Sequence, residues 1–453
     1  MAGHYTNERA DERADGDASG KANGDASATA EAVARRSYGK LIAYLSARTR
    51  DVAGAEDALS EAFAAALADW PVNGIPRTPE AWLLTVARRK LIDSARRAQS
   101  GAAAADLMQL IRELAEADED SALASHISDD RLRLMFACAH PAIDRSVRAP
   151  LMLQVILGFD AAAIASAFMV SPAAMGQRLA RAKNKIRQAG IPFRVPAHEE
   201  LRERLDVVLD AIYAVYAEGW VDPLGTETRR RNLAEEGIWL GRLVASLLPD
   251  EAEALGLLAL MLHTEARREA RRDAGGEYVP LAEQDVARWD AGLIDEAEAL
   301  LFRASAQQGI GRYQLEAAVQ SAHVVRRRSG SADGADGADG ADGADGADGA
   351  DWAAIESLYS ALLALTASPV VAINRAVALA ETQGPQAGLE ALNALANDAR
   401  LANYQPYWAA RAGLLARCNQ NGEADQAYER AVGLEADPAV RRFLQRQREA
   451  LVF

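Results

Sequence analysis

The chain has 453 residues, half of them apolar and a quarter charged, which is ordinary for soluble protein and enough for about three domains. Fifty basic against 65 acidic residues leave a net charge of −15, which argues against non-specific nucleic-acid binding and confines any DNA site to a local basic patch. Two distant cysteines, Cys138 and Cys418, offer neither a disulfide framework nor a zinc signature. With no signal-peptide core and no apolar run near 18 residues, the expectation is a cytoplasmic protein without membrane contact.

The alanine- and leucine-rich composition points to an all-α protein. Residues 1–30 have almost nothing to bury and read as a disordered tail. Helical periodicity then runs through a first domain, 31–98. Within it AEDALSEAF (55–63) begins an amphipathic helix, with Leu59, Phe63 and Leu67 on one face and Glu56, Asp57 and Glu61 on an acidic outer face. A break is expected at 70–76, before PEAWLLTVARRKLIDSARR (79–97) opens on a proline whose missing N–H costs nothing there. From Arg77 to Arg97 six basic and two acidic residues give a local +4. Trp82, Arg89 and Arg96 recur at intervals of seven and share a face with Asp93 close by. Such a face suits single-stranded DNA, where phosphates meet cations and a base meets a ring. It equally suits a core tryptophan beneath solvated arginines.

Residues 99–128, alanine-rich and then acidic, read as a flexible linker. A compact helical segment follows over 129–192. In it Asp160 can cap a short helix to Phe168, and Met169 and Val170 make a turn. Ser171 and Pro172 then start a long helix that ends at Gly190. Met175, Leu179, Ala182 and Ile186 repeat on its buried face. Gln177, Arg181 and Asn184 lie opposite, flanked by Arg178, Lys185 and Arg187. Short helix, tight turn and long basic helix make a helix-turn-helix. Arginine and glutamine are the side chains that reach base edges, while the other cations hold phosphates. From Arg145 to Gln188 seven basic residues stand against one acid, a net +6.

In this order, AEDALSEAF, WLLTVARRKLIDSARR and the helix with RLARAKNKIR resemble regions two and four of the sigma-70 family. The absence of a further domain between them resembles its extracytoplasmic-function branch. The resemblance implies that Glu56, Asp57 and Glu61 dock on the clamp helices of the largest subunit of core RNA polymerase, and that region four meets the flap of the second subunit. It implies that the loop 70–77 and the helix with Trp82, Arg88, Arg89, Lys90, Arg96 and Arg97 bind and open the −10 element of promoter DNA. The helix 171–187, with Ser171, Gln177, Arg178, Arg181, Lys183, Lys185 and Arg187, would read the −35 element. Met169 stands where the family often has glycine, so the turn is expected to be shaped differently.

From 198 to 453 helix follows helix, interrupted by six Ala-Asp-Gly triplets at 332–349 that can build neither core nor stable helix. The segments LGLLALMLHTEARREAR (255–271), IGRYQLEAAVQSAH (310–323) and SPVVAINRAVALAE (368–381), together with Tyr216 and Trp220, resemble a subgroup with a tetratricopeptide-like extension. Ala424, Ala427, Tyr428, Ala431 and Pro438 follow the small-aromatic-small-proline order of such a repeat. Solenoids of this kind offer a concave surface to a protein partner, and the extension is expected to regulate the rest. His263 with Glu265, His323, and Cys138 with His140 form neither a ligand set nor a nucleophile-base order, so no metal, cofactor or enzymatic activity is expected. The alternative function is a conventional helix-turn-helix regulator with a sensor domain. The −10 reader in residues 38–97 separates the two, because an operator-binding regulator has no use for one.

Overall fold

The computed structural model describes residues 8–97, 130–168, 170–220, 228–307, 309–332 and 351–451. Among them every regular element is helical, apart from an isolated antiparallel bridge between Arg272 and Tyr278. The chain forms two compact units, the first ending at Gly237 and the second running from Ile238.

The first unit opens on a long helix, α1 (Glu8–Thr49). Part of the stretch expected to be disordered therefore lies in this helix. Alanine favours helix, and Ala26 and Ala30 are buried, although two methyl groups bury too little area to show as a hydrophobic stripe. Arg50 turns the chain with a φ of 55°, and Asp51 caps α2 (Val52–Asn73) by accepting the Gly54 N–H at 3.1 Å. α2 runs on through Pro71 past the expected break, and Gly74 closes it by donating to the Trp70 carbonyl. Leu59 stays in the core, but Leu67, 47 % exposed, has drifted off that face. Trp70 is buried edge-to-face against Trp82 of α3 (Pro79–Arg97), their ring centroids 5.6 Å apart. Trp70→Ala is expected to destabilise the protein by about 3–5 kcal/mol, read as a shift of the urea midpoint.

After residues 98–129, which lie outside the described part and include the whole of the expected linker, come α4 (Arg131–Cys138) and α5 (Arg145–Leu157). Gly158, at φ 76°, ends α5 in the left-handed conformation that glycine adopts without strain. The short α6 (Ala161–Ala167) and the longer α7 (Pro172–Gln188) follow; Met169, between them, lies outside the described residues. Asp160 caps α6 through the Ala163 N–H at 2.7 Å. α1 packs on α2, α3, α4 and α5, and α2 packs on both α3 and α7.

α8 (His198–Trp220) departs from expectation. Assigned by sequence to the extension, it belongs to the first unit, packed on α4 and α5. Leu201, Leu205, Val208, Leu209, Ile212 and Val215 are buried on it, and Arg204 donates to the Phe136 carbonyl at 3.0 Å. α9 (Thr228–Leu247) starts against it, because a Cβ on Gly237 would stand 2.8 Å from that of Tyr216.

The second unit continues with α10 (Ala252–Glu265), α11 (Ala291–Ser305), α12 (Arg312–Ala332), α13 (Trp352–Thr366), α14 (Pro369–Gln383), α15 (Pro385–Asn393), α16 (Gln405–Arg417), α17 (Asn421–Leu434) and α18 (Pro438–Glu449). α10, buried along Ala254–His263, packs on α11 and α12. From α12 to α18 each helix packs on the next along the chain. Ala424, Ala427, Tyr428 and Ala431 form the buried face of α17, and Pro438 starts α18. The Ala-Asp-Gly triplets lie outside the described residues from 333 on.

Candidate nucleic-acid interface

On α3 the buried stripe is Leu83, Leu84, Ala87 and Leu91. Arg88 falls within it, one turn after Leu84, and is only 6 % exposed. Its guanidinium donates to the Tyr44 hydroxyl at 2.5 Å and lies 5.3 Å from the centre of that ring. The structure thus turns Arg88 inward, away from the face on which a DNA contact was expected. Arg89 is exposed. Lys90 is half-exposed and pairs with Glu61 of α2 at 2.8 Å. Trp82 is half-buried on Trp70. Arg96 and Arg97 sit on the last turn of α3, and their side chains lie outside the described part.

On α7 the period of the sequence is realised: Met175, Leu179, Ala182 and Ile186 are buried. Ser171 accepts the Ala174 N–H at 3.3 Å, and Pro172 fills the first turn. Gln177, Arg181, Asn184 and Lys185 are exposed on the other side, with Arg181 donating to the Gln177 carbonyl at 3.3 Å. Between this helix and the start of α5 lies a groove of about 440 Å³, whose lining includes Asp144, Ser146, Val147, Arg178, Arg181 and Lys185. Three cations on one wall suit a phosphate backbone.

Lys183 does not join them. It points to α2, its Nζ 2.5 Å from a carboxylate oxygen of Glu56. Arg187 reaches the Asp51 carboxylate at 3.2 Å and the side-chain amide oxygen of Asn184 at 3.0 Å. The seam continues along α1, where Arg48 meets Asp130 at 3.5 Å and Tyr38 lies against Gly158. At Gly39 the backbones of α1 and α5 nearly touch: an added Cβ would stand 2.1 Å from the Ile156 carbonyl oxygen.

Glu56 is accordingly 8 % exposed and does not lie on the acidic outer face where the sequence placed it, whereas Asp57 and Glu61 do. Val52, Glu56 and Leu59 fall at helical spacing on one side of α2, and that side is covered. Burial pushes the Glu56 carboxyl above its ordinary range, and the Lys183 ammonium pulls it part of the way back. The Tyr38 hydroxyl and the Cys138 thiol are also pushed up, by burial first and then by the charge of Glu56. Removing one partner of a buried ion pair of this kind generally costs about 3–5 kcal/mol.

Three of the remaining titratable candidates, His263, Glu265 and His323, belong to the second unit. His263 is fully buried with its Nε2 3.4 Å from Glu298, whose carboxylate accepts from Ser321 at 2.5 Å. His323 packs edge-to-face on Trp352, and Glu265 is held by Arg268. Among the described residues no group of three or more His, Cys, Asp or Glu side chains is placed to hold a metal, and no helix is long and apolar enough to cross a membrane.

Residues 33–101, from the second half of α1 through α3, match Sigma-70 region 2. Residues 204–305, from α8 to the end of α11, match a family of unknown function, DUF6596. An uncharacterised protein of Rhizobium meliloti (strain 1021) is 37 % identical over 421 residues, covering 92 % of this chain and 93 % of the relative. No solved structure matches.

Proposed function

With its region 2 domain this chain is a member of the sigma-70 family, and on that premise we propose that it is an extracytoplasmic-function sigma factor, directing promoter recognition through −10 and −35 elements under the control of its second unit. Region 2 implies core RNA polymerase and promoter DNA as partners and a role in transcription initiation. The observation that carries the finer reading is α7. A helix with a buried aliphatic stripe and an opposite face of Gln177, Arg181, Asn184 and Lys185 stands in the same chain as region 2. We read α6 and α7 as the helix-turn-helix of region four, and Asp57 and Glu61 as the docking groups for the clamp helices. The helices of the second unit, packed on their chain neighbours, support a tetratricopeptide-like solenoid that receives a protein partner.

Run-off transcription with purified core polymerase on a promoter library tests the whole reading. A discrete promoter set with −10 and −35 elements is expected. Operator binding with no transcription on any template would favour the conventional regulator instead. Within α7, Arg181→Ala is expected to weaken promoter binding by about 1–3 kcal/mol and to relax specificity at one −35 position. Lys185→Ala should weaken all promoters alike and lower the salt slope by about one. Lys183, expected from sequence to hold a phosphate, is unsuited to that comparison because Glu56 engages it. Identical behaviour of the two variants across a mutated −35 set would refute the assignment of the face.

A further inference from the structure

The second unit carries a groove of about 640 Å³, a volume in the range of sites for small organic molecules. It is bounded by α16, α17 and the connection from α15 to α16. Its floor is apolar. Leu401, Tyr407 and Ala427 are buried, and Trp408 stands half-buried, edge-to-face on Tyr407 with ring centroids 5.3 Å apart. Trp408 and Arg411 lie one turn apart on α16, and Gln426 and Arg430 one turn apart on α17, so each helix adds one guanidinium to the lining.

The two guanidiniums are aimed but not neutralised. Arg430 donates to the Ala402 carbonyl at 3.3 Å and to the side-chain oxygen of Asn403 at 3.0 Å, and lies 6.0 Å from the centre of the Trp408 ring. The Trp408 indole N–H donates to the same Ala402 carbonyl at 3.1 Å, which ties both groups to one point of the connection. Arg411 donates to the side-chain oxygen of Asn393. All three acceptors are neutral. Other arginines of this unit are met by carboxylates, as Arg242 is by Glu296, Arg417 by Glu381 and Arg448 by Asp425. Of the two carboxylates in the lining, Asp398 is held by Arg400 at 2.6 Å, which keeps it below the usual carboxylate range. Glu423 is 65 % exposed and reaches Arg411 only at 3.9 Å, a pair that contributes little. Two guanidiniums thus face one loose carboxylate, and the groove lacks one negative charge.

We propose that this groove binds a small organic monocarboxylate with an apolar, ring-sized body. A carboxylate accepts two parallel N–H bonds from a guanidinium, so its charge is taken by Arg430 and Arg411 in place of Glu423, while its body covers Trp408, Leu401 and Ala427. A phosphate monoester suits the site less well, because it brings close to two charges where one is lacking. Neither polymerase nor DNA enters this inference, which stands apart from the sigma-factor reading.

The test titrates the full chain with benzoate by isothermal calorimetry. One benzoate per chain is expected, with a Kd of about 1 mM or tighter. Benzamide keeps the ring without the charge, acetate keeps the charge without the ring, and phenyl phosphate carries the larger charge. Each should bind at least about tenfold more weakly than benzoate. Arg430→Gln should weaken benzoate at least about tenfold. Glu423→Gln removes the competing carboxylate and should tighten benzoate about threefold, a gain that loss of structure cannot imitate. Arg417→Gln, whose partner Glu381 lies outside the groove, should leave binding unchanged. Circular dichroism identifies a variant that has unfolded; if Arg430→Gln does so, Glu423→Gln decides. The proposal is overturned if benzoate shows no saturable binding below about 10 mM, if benzamide binds equally well, or if a folded Arg430→Gln or Glu423→Gln chain binds as the unaltered one does. It is overturned too if the tripeptide Ala-Ala-Phe binds more than about tenfold tighter than benzoate, which would make the groove a seat for the chain end of a protein partner.

Discussion

Ending the chain after Pro196 is expected to unfold the first unit instead of setting it free. That cut, the natural one on sequence grounds, removes α8. It strips from α4 and α5 the cover provided by Leu201, Leu205, Val208, Leu209, Ile212 and Val215. Six such side chains contribute at most about 9–18 kcal/mol of burial, at about 1.5–3 kcal/mol each. A whole domain is stable by only about 5–15 kcal/mol. The Phe136 carbonyl also loses the Arg204 guanidinium. The product should be insoluble or lack a cooperative thermal transition by circular dichroism. A chain ending after Gly237, which keeps α8 and the part of α9 that belongs to the first unit, should melt cooperatively. If the shorter chain melts at the same temperature as the longer one, α8 is not part of that core. The chain ending at Gly237 is therefore the one in which to ask what the second unit does. Transcription equal to or above that of the full chain means that the second unit masks a DNA-binding face. Loss of transcription with the fold retained means that it licenses activity.

The second large effect is on polymerase. Asp57→Lys with Glu61→Lys reverses two exposed charges on α2, a change of four units on the face proposed to dock. Juxtaposing like charges at an interface costs several kcal/mol, so core polymerase should bind at least about a hundredfold more weakly and fail to co-purify. The fold should survive, because surface substitutions usually stay within about 0.5 kcal/mol. The lost pair to Lys90 is an exposed one, worth at most about 1 kcal/mol. Unchanged co-purification would remove the docking assignment.

What the sequence made legible is what depends on near neighbours. The stripe Met175, Leu179, Ala182, Ile186 and the caps at Asp160 and Ser171 are set by residues within two turns, and the structure reproduces them. Long-range partners were not legible. Glu56 and Lys183 each look like solvated charges until 127 residues are brought together. Arg88 looks like its neighbour Arg89, and only Tyr44, 44 residues earlier, draws it inward. The end of the compact segment at 192 and the new helical stretch from 198 read as a domain boundary. In three dimensions α8 packs back on α4 and α5, with Ile191 itself buried. The part of α1 around Ala26 and Ala30 was missed for another reason: a buried alanine leaves little trace in a hydrophobicity pattern.

The span of the seam also bears on the order in which the protein acquires its parts. From α12 onward the second unit is built from contacts between consecutive helices, a low contact order that folds quickly as each pair emerges. The first unit closes through ties separated by 82 and 127 residues, which carry a larger loop-closure entropy. At about 5–20 residues per second of synthesis, Lys183 is made roughly 6–25 s after Glu56. For that interval the nascent region 2 has no α7 to cover it. A polymerase that meets the chain on the ribosome would find Glu56 uncovered, beside Asp57 and Glu61, whereas in the finished molecule Lys183 covers it.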